Sequence, residues 1–184
     1  HPDQPDKVFI GTNNYGVMVS NDGGKNFSQT NGNFSSRFTY SITTDIEKPN
    51  RLYATTINTA TGGGFIFISD NGGSTWYPSI KNLDINRTMA YSLIQDRANP
   101  NTIYLGTNFG IFKSLDRGVS WEQITVPKPP PVKRTPVRRT GRNARAAAPK
   151  PTPAPTEPGL IPALGDKINT LVHTEDGKNG YLAG

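Results

Sequence analysis

The stretch "SLDRGVSW" at residues 114–121 has two near-copies upstream, "SNDGGKNF" at 20–27 and "SDNGGSTW" at 69–76. We refer to them, in chain order, as the first, second and third motifs. Each contains a serine, an aspartate or asparagine two residues later, a glycine two residues further on, and a terminal aromatic residue. The residues at these positions are Ser20, Asp22, Gly24, Phe27, Ser69, Asn71, Gly73, Trp76, Ser114, Asp116, Gly118 and Trp121.

A longer repeat surrounds the motifs. The segment "YSITTDIEKPNRLYATT" at 40–56 aligns without gaps with "YSLIQDRANPNTIYLGT" at 91–107, and parts of the same unit return at 7–27 and 168–184. Each unit contains four short segments rich in Tyr, Ile, Val and Thr, separated by Asn, Gly, Pro and Asp, which predicts four strands. A four-stranded unit of about 45–50 residues is typical of a β-propeller blade.

The sequence therefore predicts an all-β fold, a β-propeller fragment of four-stranded antiparallel blades with a motif between the third and fourth strands. Closed propellers have about 4–8 blades. We therefore expect this sequence to be a piece of a longer chain that supplies the remaining blades. The predicted units are a partial blade with its last three strands at 1–36, complete blades at 37–86 and 87–126, a basic, proline-rich disordered insert at 127–165, and the start of a further blade at 166–184.

The residue types of the motifs suit a tight turn. An Asp or Asn side chain accepts hydrogen bonds from backbone N–H groups two or three residues ahead. Gly24, Gly73 and Gly118 supply a positive φ. The terminal aromatic residue begins the next strand and buries a ring against the neighbouring blade. None of these roles requires a substrate, so the motifs are interpreted as structural.

The pattern Ser-x-Asp-x-Gly-x-x-Trp resembles the Asp-box, or bacterial neuraminidase (BNR) repeat, of sialidase-like, sortilin-like and photosystem-assembly-factor-like propellers. The first and third motifs fit with Asp22 and Asp116, whereas the second departs with Asn71. The resemblance covers about 1–126 and 166–184. It implies that the motifs lie on the rim away from the functional face.

Function is therefore expected on the face opposite the motifs, at the loops between second and third strands and at the connectors between blades. These loops are "TNNYG" at 12–16, "TTINTATGGG" at 55–64 and "TNFG" at 107–110. The alternative is that they are ordinary polar turns and salt-bridge partners. The candidate ligand-binding residues are Tyr15, Arg37, Asn58, Arg87, Asn108 and Phe109.

No catalytic residue is predicted. Resemblance to the sialidases would imply three arginines, a Tyr–Glu pair and an Asp acid/base, and no inward Tyr–Glu pair can be named. An ordinary glycosidase needs two carboxylates about 5–10 Å apart, whereas Asp45 and Asp96 are equivalent by repeat, which favours a turn role. The histidines, His1 and His173, lack a second ligand at metal spacing. We predict no metal and no cofactor.

The net charge of +6 belongs to one segment. Residues 127–158 contain eight basic side chains and one acidic side chain, and eleven of the 16 prolines lie between 127 and 162. Such a segment is expected to be disordered or extended. Three interpretations remain open: a solvated spacer, a tether to an anionic partner such as nucleic acid, acidic lipid headgroups or a cell-wall polymer, and a proline-motif ligand.

The sequence contains no apolar run of about 18 residues, so no transmembrane segment is predicted. We predict a non-catalytic binding or scaffolding module for a glycan or protein partner. It would belong to a longer bacterial extracytoplasmic protein, secreted, periplasmic or at the cell surface, whose signal peptide lies upstream. The alternative is a fragment of a xyloglucanase- or sialidase-like glycoside hydrolase whose catalytic residues lie in blades not present here.

Overall fold

The computed structural model describes residues 1–30, 38–58, 60–127, 160–162, 167–173 and 181–183. Every regular element within these ranges is a β-strand, and none of the described segments is a helix with the length and apolarity needed to cross a membrane. The strands are β1 Val8–Gly11, β2 Val17–Ser20, β3 Ser28–Gln29, β4 Phe38–Thr44, β5 Leu52–Asn58, β6 Gly63–Ser69, β7 Tyr77–Pro78, β8 Ala90–Gln95, β9 Ile103–Thr107, β10 Gly110–Ser114, β11 Glu122–Gln123, β12 Thr125–Pro127, β13 Leu160–Pro162, β14 Leu171–His173 and β15 Tyr181–Ala183.

Consecutive strands pair into antiparallel sheets that follow the sequence repeat. The first blade has the order β1-β2-β3, the second β4-β5-β6-β7 and the third β8-β9-β10-β11, while β14 and β15 begin the fourth. All these pairings are antiparallel. The prediction of an all-β propeller fragment built from four-stranded antiparallel blades is confirmed.

The blades pack face to face through apolar seams. Between the second and third blades, Tyr53 and Ile68 lie in one cluster with Ile103 and Trp121. Because blades cover both faces of the central strand β5, six of its seven residues are buried. Fully burying one large apolar side chain contributes about 1.5–3 kcal/mol, so these seams supply much of the stabilisation.

Two seams flank this central one. Between the first and second blades, Val17 packs with Leu52 and Trp76. Between the third and fourth blades, Ile168 packs with Ile94. The Ile168 N–H also donates to the carbonyl of Thr107 at 2.8 Å. The fourth blade therefore stacks on the third as the third stacks on the second.

Strand β12 follows the fourth strand of the third blade and pairs with β13 instead of extending that blade. Pro127 lies opposite Leu160, and Thr125 lies opposite Pro162. The strand Leu160–Pro162 lies within the range predicted as insert. Residues 128–159, which carry the basic and proline-rich sequence, lie outside the described residues. The two ends of that segment are consequently neighbours in one antiparallel ribbon.

The same irregularity occurs in the innermost strands of the second and third blades. The register between β4 and β5 shifts between Thr39 and Ser41, and the register between β8 and β9 shifts between Ala90 and Ser92. Such β-bulges leave one residue unpaired and re-aim its side chain. The bulged residues are the repeat-equivalent Tyr40 and Tyr91.

Candidate functional site

The three motifs form hairpin turns at one end of the blades, which we call the motif face. In the third motif, Ser114 Oγ accepts a hydrogen bond from the Gly118 N–H at 2.8 Å and donates to Asp116 Oδ1 at 2.7 Å. Ser20 makes the same two bonds in the first motif. In the second motif, Ser69 donates to Asn71 Oδ1 at 3.0 Å, so an amide oxygen replaces the carboxylate.

The acidic residue reaches one position further than predicted. Asp116 Oδ1 accepts from the backbone N–H of Ser120 at 2.8 Å, and Asp22 Oδ1 accepts from that of Asn26 at 2.9 Å, four residues ahead in both cases. The turn is longer because two successive residues have a positive φ, and the predicted Gly118 is one of them, at 83°. Each aspartate side chain therefore hydrogen-bonds to residues at both ends of its turn.

The hydrogen bonds within the turns also fix the charge state of the aspartates. Donation from Ser20 and then from Asn26 lowers the pKa of Asp22 to about 2. Burial acts to raise the pKa of Asp116, but donation from Ser120 and Ser114 outweighs it and the pKa is lowered. A carboxyl group held ionised in this way is a hydrogen-bond acceptor and a poor proton donor at neutral pH. The geometry is that of a turn.

The tryptophans that end the second and third motifs pack against the preceding blade, as predicted. Both side chains are 1% exposed. Trp76 Nε1 donates to the carbonyl of Gly73 at 2.9 Å, whereas Trp121 Nε1 donates to Ser79 Oγ of the second blade at 2.9 Å. Phe27, at the end of the first motif, is only half-buried.

An ion-pair network joins the second and third blades at the motif face. The side chain of Asp45 is fully buried and accepts hydrogen bonds from Tyr53 Oη at 2.8 Å and Gln95 Nε2 at 2.9 Å. Arg117 Nη1 lies 2.7 Å from Asp45 Oδ1, and the same guanidinium binds Glu47. Burial acts to raise the pKa of Asp45, but these donors and the Glu47 N–H together lower it.

Sequence reasoning missed this network, although one signal was present. Arg117 stands where the other two motifs have Gly23 and Gly72, and its φ is 57°, in the left-handed region. A non-glycine residue is uncommon there. An arginine at a position that favours glycine indicates that its side chain has a specific partner.

The face opposite the motifs carries the loops predicted to bind a ligand. Asn108, a predicted ligand contact, instead fixes the connector that enters the third blade. Its Oδ1 accepts from the Met89 N–H at 2.8 Å, and its Nδ2 donates to the Arg87 carbonyl at 2.9 Å. Asn108 therefore positions the residues beside it.

Arg87 and Phe109, two further candidates, lie together. The guanidinium carbon of Arg87 is 5.5 Å from the centroid of the Phe109 ring. Gln123 Nε2 donates to the Phe109 carbonyl at 2.6 Å, which anchors the loop tip. In the first blade, Gln29 binds the carbonyl of Tyr15 in the same way, at 3.2 Å. Two blades thus present an aromatic loop tip on this face.

The remaining candidates are dispersed. Tyr15 is 60% exposed, and Asn58 stabilises its own loop because its Oδ1 accepts from the Ala60 N–H at 3.1 Å. Arg37 lies outside the described residues. The structure therefore brings together Arg87, Asn108 and Phe109.

The innermost strands carry an aromatic pair that sequence reasoning did not select. The rings of Tyr40 and Tyr91 meet edge to face with centroids 5.5 Å apart, and Lys167 Nζ lies 4.4 Å from the centroid of the Tyr91 ring. Tyr40 is 47% exposed. The sequence repeat places the two tyrosines at equivalent positions, but the orientation of their side chains depends on the β-bulge in each strand. Innermost strands face the axis of a closed propeller.

Carboxylates are absent from the innermost strands β4 and β8. The repeat-equivalent Asp45 and Asp96 lie just beyond them, and each accepts two backbone N–H bonds within its own turn. Their predicted turn role agrees with this geometry. Among the described residues, no group of three His, Cys, Asp or Glu side chains could hold a metal ion.

Neither a family model nor a curated protein matches the chain. Solved structures do match. An ancestral GH74 enzyme is 29% identical, with a TM-score of 0.59, over 69% of this chain and 18% of its own. The GH74 xyloglucanase from Xanthomonas campestris is 17% identical, with a TM-score of 0.54, over 66% of this chain and 19% of its own. YCF48 bound to D1 peptide is 16% identical, with a TM-score of 0.48, over 64% of this chain and 37% of its own.

The chain spans less than a fifth of the two GH74 enzymes that it matches. Together with the sheet topology, the matches to these two enzymes establish the class of the protein as a β-propeller, of which the described strands form one sector.

Proposed function

We propose that the chain is part of a non-catalytic propeller that binds a glycan or protein partner on the face opposite the motifs. The observation that carries this proposal is the pair Tyr40 and Tyr91. Where a propeller hydrolase would need paired carboxylates, the innermost strands carry the exposed ring of Tyr40, which packs edge to face on the buried ring of Tyr91. Aromatic rings with a polar tip are suited to contact a ligand that has both apolar and hydroxyl groups.

The motif aspartates are assigned no catalytic role in this proposal. Asp22 and Asp116 are occupied by hydrogen bonds within their own turns. The motifs are therefore proposed to be Asp-box turns, which stabilise each blade and leave the opposite face for the ligand.

The second candidate is a fragment of a glycoside hydrolase of the xyloglucanase or sialidase type. It is favoured by the 29% identity to an ancestral GH74 enzyme. In that case the catalytic carboxylates would come from blades outside this sequence, and the exposed Tyr40 would contact the substrate.

The location and the charged insert complete the proposal. We infer an extracytoplasmic setting in a bacterium, secreted, periplasmic or at the cell surface.

The basic segment 127–158 would contact an anionic partner, because eight of its side chains are basic and one is acidic. Counterion release makes such contacts sensitive to salt.

A glycan array and a panel of fluorogenic glycosides, both applied to the natural full-length protein, test the proposal. We expect glycan binding without turnover, and weaker binding by Tyr40→Ala. Tyr77→Ala is the matched control, because Tyr77 is 41% exposed and bonded to Asp70 at the motif face. Turnover that persists after repurification would overturn the non-catalytic role in favour of the hydrolase.

A further inference from the structure

The third blade carries a separate cleft, which neither Tyr40 nor Tyr91 lines. It has a volume of about 270 Å³. The connector into the blade forms one wall, and the tip of the loop between β9 and β10 forms the other. The residues that line it are Asp84, Arg87, Thr88, Phe109, Phe112 and Gln123.

The cleft is lined by one cation and one anion that form no ion pair with each other. Both Arg87 and Asp84 are exposed, and neither takes part in the ion pairs found among the described residues. The guanidinium of Arg87 lies over the Phe109 ring. One carboxylate oxygen of Asp84 accepts from the Asn86 N–H at 3.2 Å. Donor and acceptor capacity therefore remains open in the cleft that Phe109 also lines.

The backbone of both walls is fixed in advance. The Thr88 N–H donates to the Asp84 carbonyl at 2.8 Å, and Asn108 holds the connector by both ends of its amide. On the other wall, Gln123 anchors the carbonyl of Phe109. A site whose backbone is already ordered loses less conformational entropy when a ligand binds.

We propose that this cleft binds one neutral hexopyranose unit, an inference that rests on the proposed function of this face in ligand binding. A sugar hydroxyl both donates and accepts, so neighbouring hydroxyls satisfy Asp84 and Arg87 together. The C–H face of the sugar ring packs on the aromatic surface formed by Phe109 and Phe112. The volume is just below the range of roughly 300–1,000 Å³ for ligand pockets, which suits one ring.

Charge decides between classes of sugar. A carboxylate-bearing sugar would pair with Arg87 and bring like charge towards Asp84. An amino sugar would pair with Asp84 and bring like charge towards the guanidinium of Arg87. A neutral ring leaves both side chains with a polar partner and introduces no repulsion.

The test uses the natural full-length protein and three classes of probe: neutral methyl glucopyranosides and galactopyranosides, acidic glucuronic acid, and basic glucosamine. Binding is followed by NMR chemical-shift changes of the Gln123 side-chain amide. We expect a neutral glycoside to bind best. Arg87→Gln and Asp84→Asn, both at exposed positions, should each weaken it about tenfold, the effect of one hydrogen bond to a charged group. Arg97→Gln, an exposed arginine on the motif face, is the control and should leave binding unchanged.

Two binding results would overturn the inference while leaving the proposed function intact, and a third result, an absence of sugar binding, would do the same. One is tighter binding of glucuronic acid that increases further in Asp84→Asn. The other is neutral-sugar binding that neither variant affects, which would place the glycan site elsewhere on this face. Absence of any sugar binding, with a protein partner still bound by the full-length chain, would likewise overturn this inference alone.

Discussion

Arg117 of the third blade binds the buried carboxylate of Asp45 in the second blade through one nitrogen, with Nη1 2.7 Å from Oδ1 and 2.8 Å from Oδ2. The two residues are 72 positions apart in the chain. Removing Arg117 leaves the buried carboxylate without its counter-ion, and removing Asp45 leaves buried donors without their acceptor, both of which are costly even where the pair itself adds little. This contact adds an electrostatic link to the apolar seam between the two blades.

Asp45→Ala is expected to lower the free energy of unfolding by about 3–5 kcal/mol, because Arg117 and Tyr53 lose a shared acceptor. Chemical denaturation measures the change. Asp96→Ala is the matched control, since Asp96 makes the same two turn bonds, and it should cost about 1–2 kcal/mol, as for a lost cap. Equal losses in the two variants would show that the contact with Arg117 adds nothing.

Stability should fall in acid. Asp45 and Asp22 have folded pKa values below the ordinary aspartate value, which is about 3.9. A group of this kind stabilises the fold above its unfolded pKa, and the contribution is lost as the pH falls through the folded pKa. We expect the urea midpoint to be flat from pH 7 to about 5 and to decline between about pH 4 and 2. A midpoint that is unchanged at pH 2.5 contradicts the prediction.

The positive φ of Arg117 can be separated from its ion pair by comparing Arg117→Gly with Arg117→Ala. Both variants lose the contact with Asp45, but only glycine adopts a φ near 57° without a steric penalty. The alanine variant should therefore be less stable by about 1–2 kcal/mol. Thermal unfolding of the two proteins side by side measures the difference. Identical stabilities would mean that the turn relaxes in both.

Asp116→Ala should cost about 1–2 kcal/mol of stability and leave ligand binding intact. The bonds to Ser114 and to the Ser120 N–H are lost. Asn71→Asp is the companion change, because it restores the residue found in the other two motifs, and it should alter stability by less than about 0.5 kcal/mol. Lost binding by a folded Asp116→Ala protein would refute a purely structural motif.

Replacing residues 128–159 by Asn-Gly should leave the fold intact. Pro127 and Leu160 are already opposite each other in the antiparallel ribbon, and Asn-Gly closes a two-residue hairpin of that kind. We expect a melting temperature within about 3 °C of the parent. The shortened protein should also elute from heparin resin at lower salt. A large drop in melting temperature would assign the segment a structural role, and unchanged elution would remove the proposed anionic partner.

The repeat predicted the strands of the blades and their order, because turn residues and apolar residues recur at matched positions such as Pro49 and Pro100, but it did not predict the ribbon of β12 and β13. It also placed Arg87 and Phe109 on one face, since that follows from strand direction alone. The bulges at Tyr40 and Tyr91 depend on local register, which the sequence pattern does not specify. The contact from Arg117 to Asp45 depends on how one blade is rotated against the next.

Trp76 and Trp121 are the only two tryptophans of the chain, and each lies in a different seam. Trp76 packs in the seam with the first blade, and Trp121 in the seam between the second and third. In repeat architectures each unit contacts only its neighbours, so separate boundaries can open separately. The emission of each indole therefore reports the hydration of one boundary, and in Trp76→Phe the remaining fluorophore follows the other alone. The chain carries its own optical probes of cooperativity between blades.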